Sequence, residues 1–219
     1  METAQPEQSE GLFLEAELAR VGGDLRKARE IYLSALHRTS NRDLRFRSRL
    51  GLGVVYFLMV PPKIRRGVFH LRKALRYEQP ADNRKRSWAH FYLGEFYDLR
   101  ADKILIQKGK STLWRRWVLK ATPEQERVLQ LDPTFQYRAH VLKDLARKEH
   151  FLDGDLEKSK ILLQEALQCG PSEADSVIIH TNMAMLLMEQ RDYEGAFQNA
   201  TKILDAPTSP LERVNDLAP

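Results

Sequence analysis

The sequence predicts an all-α chain built as a solenoid of about five helix–turn–helix repeats. Two recurring phrases carry that prediction. Gly23-Asp24-Leu25-x-x-Ala28-x-x-x-Tyr32-x-x-Ala35-Leu36 returns as Gly154-Asp155-Leu156-x-x-Ser159-x-x-x-Leu163-x-x-Ala166-Leu167, and in shortened form as Asp192-Tyr193-x-x-Ala196-x-x-x-Ala200. Leu52-Gly53-x-x-Tyr56 returns as Leu93-Gly94-x-x-Tyr97. Both fit one unit of about 34 residues, the period of a helix pair that buries its apolar face only by stacking on its neighbours.

Taken in order, each unit has a helix A and a helix B, with small residues where the pair packs closely. Residues 1–9 form a flexible start and residues 10–205 the solenoid. Repeat one covers 10–40: Gly22-Gly23-Asp24 turns the chain, Ala28 and Ala35 are the small contacts, and Tyr32 fills the gap. Repeat two covers 46–80, with Gly53 at a close crossing and Pro61-Pro62 between its helices. Repeat three covers 85–133, but its halves lie too far apart, so residues near 100–116 read as an insertion that lengthens helix A and adds a short extra helix. Thr122-Pro123-Glu124-Gln125 reads as a helix start, with Thr122 as N-cap and proline at the first helical position. Repeats four and five cover 141–171 and 177–205, and 206–219 is a tail or partial cap. Pro80, Pro133 and Pro171 follow apolar helical stretches, where proline ends a helix without breaking it.

These phrases resemble the tetratricopeptide repeat. The resemblance rests on Gly23, Ala28, Tyr32 and Ala35; on Leu52, Gly53, Tyr56 and Ala74; on Leu93, Gly94, Tyr97 and Pro133; on Gly154, Ala166 and Pro171; and on Ala184, Tyr193 and Ala196. The chain departs from the pattern in lacking the helix A tryptophan at its usual place and in carrying Arg147 where a small residue is expected. The resemblance implies a right-handed α-α superhelix whose A helices line a concave groove for peptides or helices.

In that register the groove would present Phe13, Leu50, Val54, Phe57, Trp88, Phe91, Phe151, Met185 and Met188. The same positions carry Glu10, Glu17, Arg20 and Arg47, then Glu95, Asp98, Val141, Asp144, Lys148, Ile178 and Thr181. An apolar wall with scattered charge suits an amphipathic helix or an extended apolar segment. It does not suit the Lys, Asn and Arg clamp with which chaperone-binding relatives of this kind hold a C-terminal carboxylate.

The net charge of +5 conceals an asymmetry. Residues 41–120 hold 20 Lys and Arg against 6 Asp and Glu, about +14, while the rest hold 15 against 24, about −9. A basic middle between acidic ends points to an anionic partner or to contact between chains. Arg45, Arg47, Arg49, Arg65, Arg66, Lys108, Lys110, Arg115 and Arg116 are the candidate anion contacts. Trp114 and Trp117 beside the last four could lie on a membrane surface or stack on bases; the plainer expectation is that they pack onto the stack.

Chemistry is hard to find. His37, His70, His90, His140, His150 and His180 are scattered, and no His-Glu-x-x-His pair, paired-cysteine spacing or phosphate-cradling glycine loop is present. No catalytic residue, metal site or cofactor is expected. Cys169 is the single cysteine, so no internal disulfide can form. The start lacks a basic region followed by an apolar run, and a cytoplasmic location is expected. The sequence therefore predicts a non-enzymatic adaptor or scaffold that binds a helical or apolar segment of a protein partner. Self-association is a further possibility, and the alternative is an RNA- or anionic-surface-binding protein using residues 41–120.

Overall fold

The computed structural model describes residues 6–77 and 82–204, and every regular element among them is helical. The expected tail at 206–219 and the helix stop at Pro80 lie outside the described residues. Five helix hairpins follow one another: α1 (Pro6–Val21) with α2 (Leu25–Arg38), α3 (Arg42–Leu58) with α4 (Ile64–Ala74), α5 (Asn83–Lys108) with α6 (Thr112–Leu131), α7 (Arg138–Lys148) with α8 (Leu156–Gln168), and α9 (Glu173–Glu189) with α10 (Tyr193–Leu204). The chain is an all-α helical-repeat solenoid of tetratricopeptide-like hairpins. They group into two compact units, residues 1–135 and 136–219. No described helix is long and apolar enough to cross a membrane.

The recurring Gly-Asp phrase is a turn followed by a cap. Gly23 and Gly154 take φ of +82° and +68°, the left-handed backbone that a residue without Cβ adopts at no steric cost. The next residue then caps helix B: Asp24 accepts from the Lys27 N–H and Asp155 from the Lys158 N–H, each at 2.9 Å. Asp192 does the same for Gly195 N–H at 2.9 Å, but the residue before it is Arg191, which holds φ of 63° with a full side chain.

Inside the first unit the helices meet where a ring or branched side chain covers a glycine. A Cβ on Gly51 would lie 2.4 Å from the Tyr32 ring, one on Gly53 2.4 Å from Leu71, and one on Gly67 2.1 Å from the Phe96 ring. Tyr32, Leu71 and Phe96 are fully buried, so none can swing aside. The core around them runs through Ala28, Leu52, Val55, Tyr56, Leu93 and Tyr97.

The residues read as an insertion lengthen the α5–α6 hairpin and form no separate helix. α5 continues to Lys108, turns at Gly109 with φ of 65°, and α6 starts behind the Ser111 cap, which accepts from the Trp114 N–H at 3.3 Å. Ala101, Ile104, Trp114 and Val118 bury themselves along this arm, and Trp117 packs on Tyr97 at 5.8 Å between ring centres. The expected helix start at Thr122 is corrected: α6 runs through Pro123 without interruption. Thr122 is buried and its hydroxyl donates to the Val118 carbonyl at 3.0 Å, so it caps nothing. Burial of Trp114, Val118 and Ala121 outweighs the one ladder bond that a proline removes.

In the second unit α7 ends in a π-helical turn, Glu149–Asp153. Ser159, standing where the first repeat has Ala28, donates its hydroxyl to the Ala146 carbonyl at 2.9 Å. Buried Glu149 is held by Lys148 and Lys158, each at 2.9 Å.

Two substitutions test these joints in opposite directions. Gly67→Ala forces a methyl against the immobile Phe96 ring, a cost of about 1–3 kcal/mol, while relieving roughly 0.5–1 kcal/mol of backbone entropy. A net loss of about 1–2 kcal/mol in urea unfolding is expected. Arg191→Gly removes a left-handed strain of about 1–2 kcal/mol and gains roughly 0.5–1 kcal/mol after the entropy of glycine is subtracted.

Candidate interaction groove

The A helices of the first unit enclose a cavity of about 410 Å³, lined by Phe13, Leu50, Gly51, Val54, Trp88 and Tyr92, with Glu17, Arg20, Arg47 and Lys85 at its edges. Seven of these ten stand at the positions expected from the repeat register; Gly51, Lys85 and Tyr92 do not. Tyr92 could have been found from its spacing, one turn beyond Trp88, whose ring it stacks on at 5.8 Å. The volume falls in the range of ordinary ligand pockets, and the lining is the usual apolar majority with a few polar groups.

Two expected groove residues are corrected. Phe91 is buried among Trp88, Tyr92 and Phe135, with ring centres 5.8, 5.4 and 5.3 Å away, so it supports the wall from behind. Phe57 turns its ring edgewise onto Tyr92 and Phe96 at 5.3 and 5.4 Å and does not line the cavity. Phe151, Met185 and Met188 belong to the second unit: Met185 and Met188 are exposed on α9, and Phe151 stacks on His150 at 4.4 Å.

The charges at the groove edge are largely committed. Arg47 holds Glu10 with two bonds of 2.8 and 2.7 Å and Asp43 at 2.7 Å, with its guanidinium 4.6 Å from the centre of the Phe13 ring. The hydrogen bonds from Arg47 hold the Glu10 carboxyl below its usual range, burial opposing only in part. Glu17 pairs with Arg20 at 2.6 Å and accepts from the Tyr32 hydroxyl. Burial, joined by that bond, pushes the Tyr32 phenol well above its ordinary value. Lys85, 3.8 Å from Asp43 and two-fifths exposed, is the more loosely held cation.

The same geometry corrects part of the expected anion surface. Arg47 is engaged by Glu10 and Asp43. Arg49 donates to the Tyr77 hydroxyl at 3.2 Å and Arg45 lies 5.7 Å from that ring's centre. Arg65 and Arg66 on α4, and Lys108, Lys110, Arg115 and Arg116 at the tip of the α5–α6 arm, are exposed. Trp114 lies in the core and Trp117 carries Lys120 over its ring at 4.4 Å.

The second unit holds an ion cluster of which local sequence carries little sign. His140 Nδ1 lies 2.9 Å from Asp175 and Nε2 3.3 Å from Asp144; the Lys143 ammonium lies 3.1 Å from Asp175 and 3.6 Å from Asp144. His140, Lys143 and Asp144 share a face of α7 at helical spacing, the only local signal; Asp175 arrives from α9. Burial raises the Asp144 carboxyl, but the His140 bond and the charges of Lys143, His140 and Arg147 outweigh it and bring it to about 2. Asp175 is likewise lowered: burial works against it, and His140 and Lys143 prevail.

No known family matches the sequence, and no curated protein matches it either. Solved structures do. The chain is similar to MamA 41-end from Desulfovibrio magneticus RS-1, with 17% identity and a TM-score of 0.63 over 97% of this chain and 99% of that one. A MamA RS-1 double mutant gives 16% identity and a TM-score of 0.64 over 98% and 100%. It is also similar to a monomeric IFIT1 mutant with Gppp-AAAA, with 18% identity and a TM-score of 0.66 over 96% of this chain and 45% of that one. At such identities the likeness is one of fold.

Two pH steps in stability follow from the buried ionisable groups. Burial first, and Arg49 second, push His70 from 6.5 to about 4, so the folded chain refuses a proton that the unfolded chain takes up. Its contribution, about 3 kcal/mol, is full above 6.5 and lost as pH falls toward 4. Asp144 contributes about 2 kcal/mol, full above 3.8 and lost as pH falls toward 2. Urea midpoints measured down this range should fall in both windows. His70→Gln should flatten the upper step and Asp144→Asn the lower.

Proposed function

We propose that the protein is a non-enzymatic adaptor whose first unit captures an apolar or amphipathic helical segment of a partner protein in the groove between Phe13, Leu50 and Trp88. The observation that carries this reading is the cavity itself: its apolar walls come from three successive A helices, while most of its edge charges are already paired. A ligand that brings apolar side chains is rewarded there, and one that brings several charges is not. Four anchors in such a groove gain roughly 6–12 kcal/mol at about 1.5–3 each. Association costs of about 4–15 kcal/mol offset much of that, so these anchors alone give binding no tighter than about micromolar. Lys85 favours a segment with one acidic residue beside its apolar stripe.

A second reading is favoured by the exposed cations of α4 and of the arm tip. Among the described residues neither Arg65 nor Arg66 makes an ion pair, and Arg115 and Arg116 stand exposed beside Lys108. Such a surface suits RNA or an anionic membrane, and the similar IFIT1 structure holds Gppp-AAAA. A defining mark of this mode is affinity that falls steeply with salt.

Cross-linked pull-down with mass spectrometry, run on wild type and on Leu50→Glu with Trp88→Glu, separates the two. Both side chains are partly exposed, and circular dichroism checks that the double variant stays helical; Phe91 is avoided because it is core. Under the adaptor reading the double variant loses its partner by roughly a hundredfold or more in affinity, with weak salt dependence, while Arg115→Glu with Arg116→Glu retains it. Loss in the arginine variant alone, with a steep salt slope, establishes the second reading instead.

A further inference from the structure

Among the described residues, the first and the last helix each leave open half of the interface by which the chain stacks its own hairpins. On helix A, the position of Val55 in α3, Phe96 in α5 and Leu186 in α9 is fully buried. Within each unit those helices pack on the helix B before them, α3 on α2, α5 on α4 and α9 on α8. The matching residue of α1 is Leu18, which is 74% exposed. Leu14, one turn earlier, matches Gly51, which sits under the Tyr32 ring in α3, and it too is exposed. Val21 extends the stripe. None of the three lines the groove.

The complementary half lies open on α10. Aligned on the caps Asp24 and Asp192, Ala200 and Leu204 take the places of Tyr32 and Leu36, the residues of α2 buried in the first unit's stack. Phe197 and Tyr193 continue that line one and two turns earlier, and Phe197 is 69% exposed. A repeat array ordinarily closes its ends with polar faces. Here α1 presents an unfilled A-helix seat, and α10 presents an aromatic stripe of B-helix spacing.

We infer that the occupant of the α1 face is α10 of a second copy, so that copies stack head to tail and continue between molecules the helix B on helix A contact that each repeats internally. The two patches differ, so the contact is heterologous, and unless the rotation closes a ring it propagates into an open chain. It is apolar, and so it resists salt, unlike an assembly formed by acidic ends on a basic middle.

Sedimentation and light scattering over a dilution series test this with the full chain. Wild type should show an average mass that climbs with concentration, at low and high salt alike. Leu18→Glu and Phe197→Glu, both at exposed positions, should each weaken association by roughly tenfold or more. Leu18→Glu keeps its α10 stripe and Phe197→Glu keeps its α1 seat, so an equal mixture should form dimers and stop there. Circular dichroism confirms that each variant folds, and Val21→Glu and Tyr193→Glu replace either that does not. A wild type that stays monomeric overturns the inference. So does assembly that survives either single change, dimers lost through Leu18→Glu alone (an α1–α1 pair), or a mixture that remains monomeric, as when each chain covers its own α10.

Discussion

Glycine under a buried ring or branched side chain is the contact on which the first unit depends. Tyr32 on Gly51, Leu71 on Gly53 and Phe96 on Gly67 set how closely α2, α3, α4 and α5 approach, because in each case even a single Cβ would overlap a side chain that has no exposed surface. Close-packed interiors have no slack to absorb such a change. The groove inherits this spacing. Gly51 belongs to both structures, lining the cavity on one side and receiving Tyr32 on the other. Glu17 ties them again, at the groove edge with Arg20 and at the core with the Tyr32 hydroxyl. The width of the groove is therefore a property of the core, fixed where Gly51 receives the Tyr32 ring.

The charge asymmetry of the sequence divides in the same manner. A run of arginines on α3 looked like one basic patch. Its members instead serve local partners: Arg47 joins α3 to α1 through Glu10, and Arg45 and Arg49 gather on Tyr77. Partly buried guanidinium–carboxylate pairs of this geometry fix register between helices more than they add stability. Exposed cations remain for a distant anion on α4 and at the arm tip, acting through long-range potential rather than shape.

How much of this could be read beforehand depended on whether the cause was local. Gly23-Asp24 and Gly154-Asp155 announced themselves because a left-handed glycine followed by a cap is complete within five residues. Phe13, Leu50, Val54 and Trp88 were legible because register follows from those turns. Phe91 was misplaced because a helix position three residues from Trp88 faces either groove or core, and Phe135, far along the chain, decided for core. Thr122-Pro123 carried a sound local signature that the packing of Trp114 and Val118 overrode. The ion cluster around His140 gave one hint, the helical spacing of three residues; its fourth member, Asp175, is distant in sequence. The π-helical turn after α7 had no local sign, since it is Ser159 on the next helix that satisfies the Ala146 carbonyl.

The arm formed by the ends of α5 and α6 shows how a repeat protein gains a new surface without disturbing its groove. Lengthening both helices of one hairpin together keeps their pairing, and Ala101, Ile104, Trp114 and Val118 are all buried along it. A longer loop would have left backbone groups to be satisfied and chain entropy to be overcome; helices satisfy their own backbone and need only the cap at Ser111. The tip then carries Lys108, Arg115 and Arg116 with exposed Ile106 and Leu113, none of which lines the cavity. Because arm and groove share no side chain, changes at the tip alter what the arm meets while the width of the groove stays fixed by Tyr32 and Gly51.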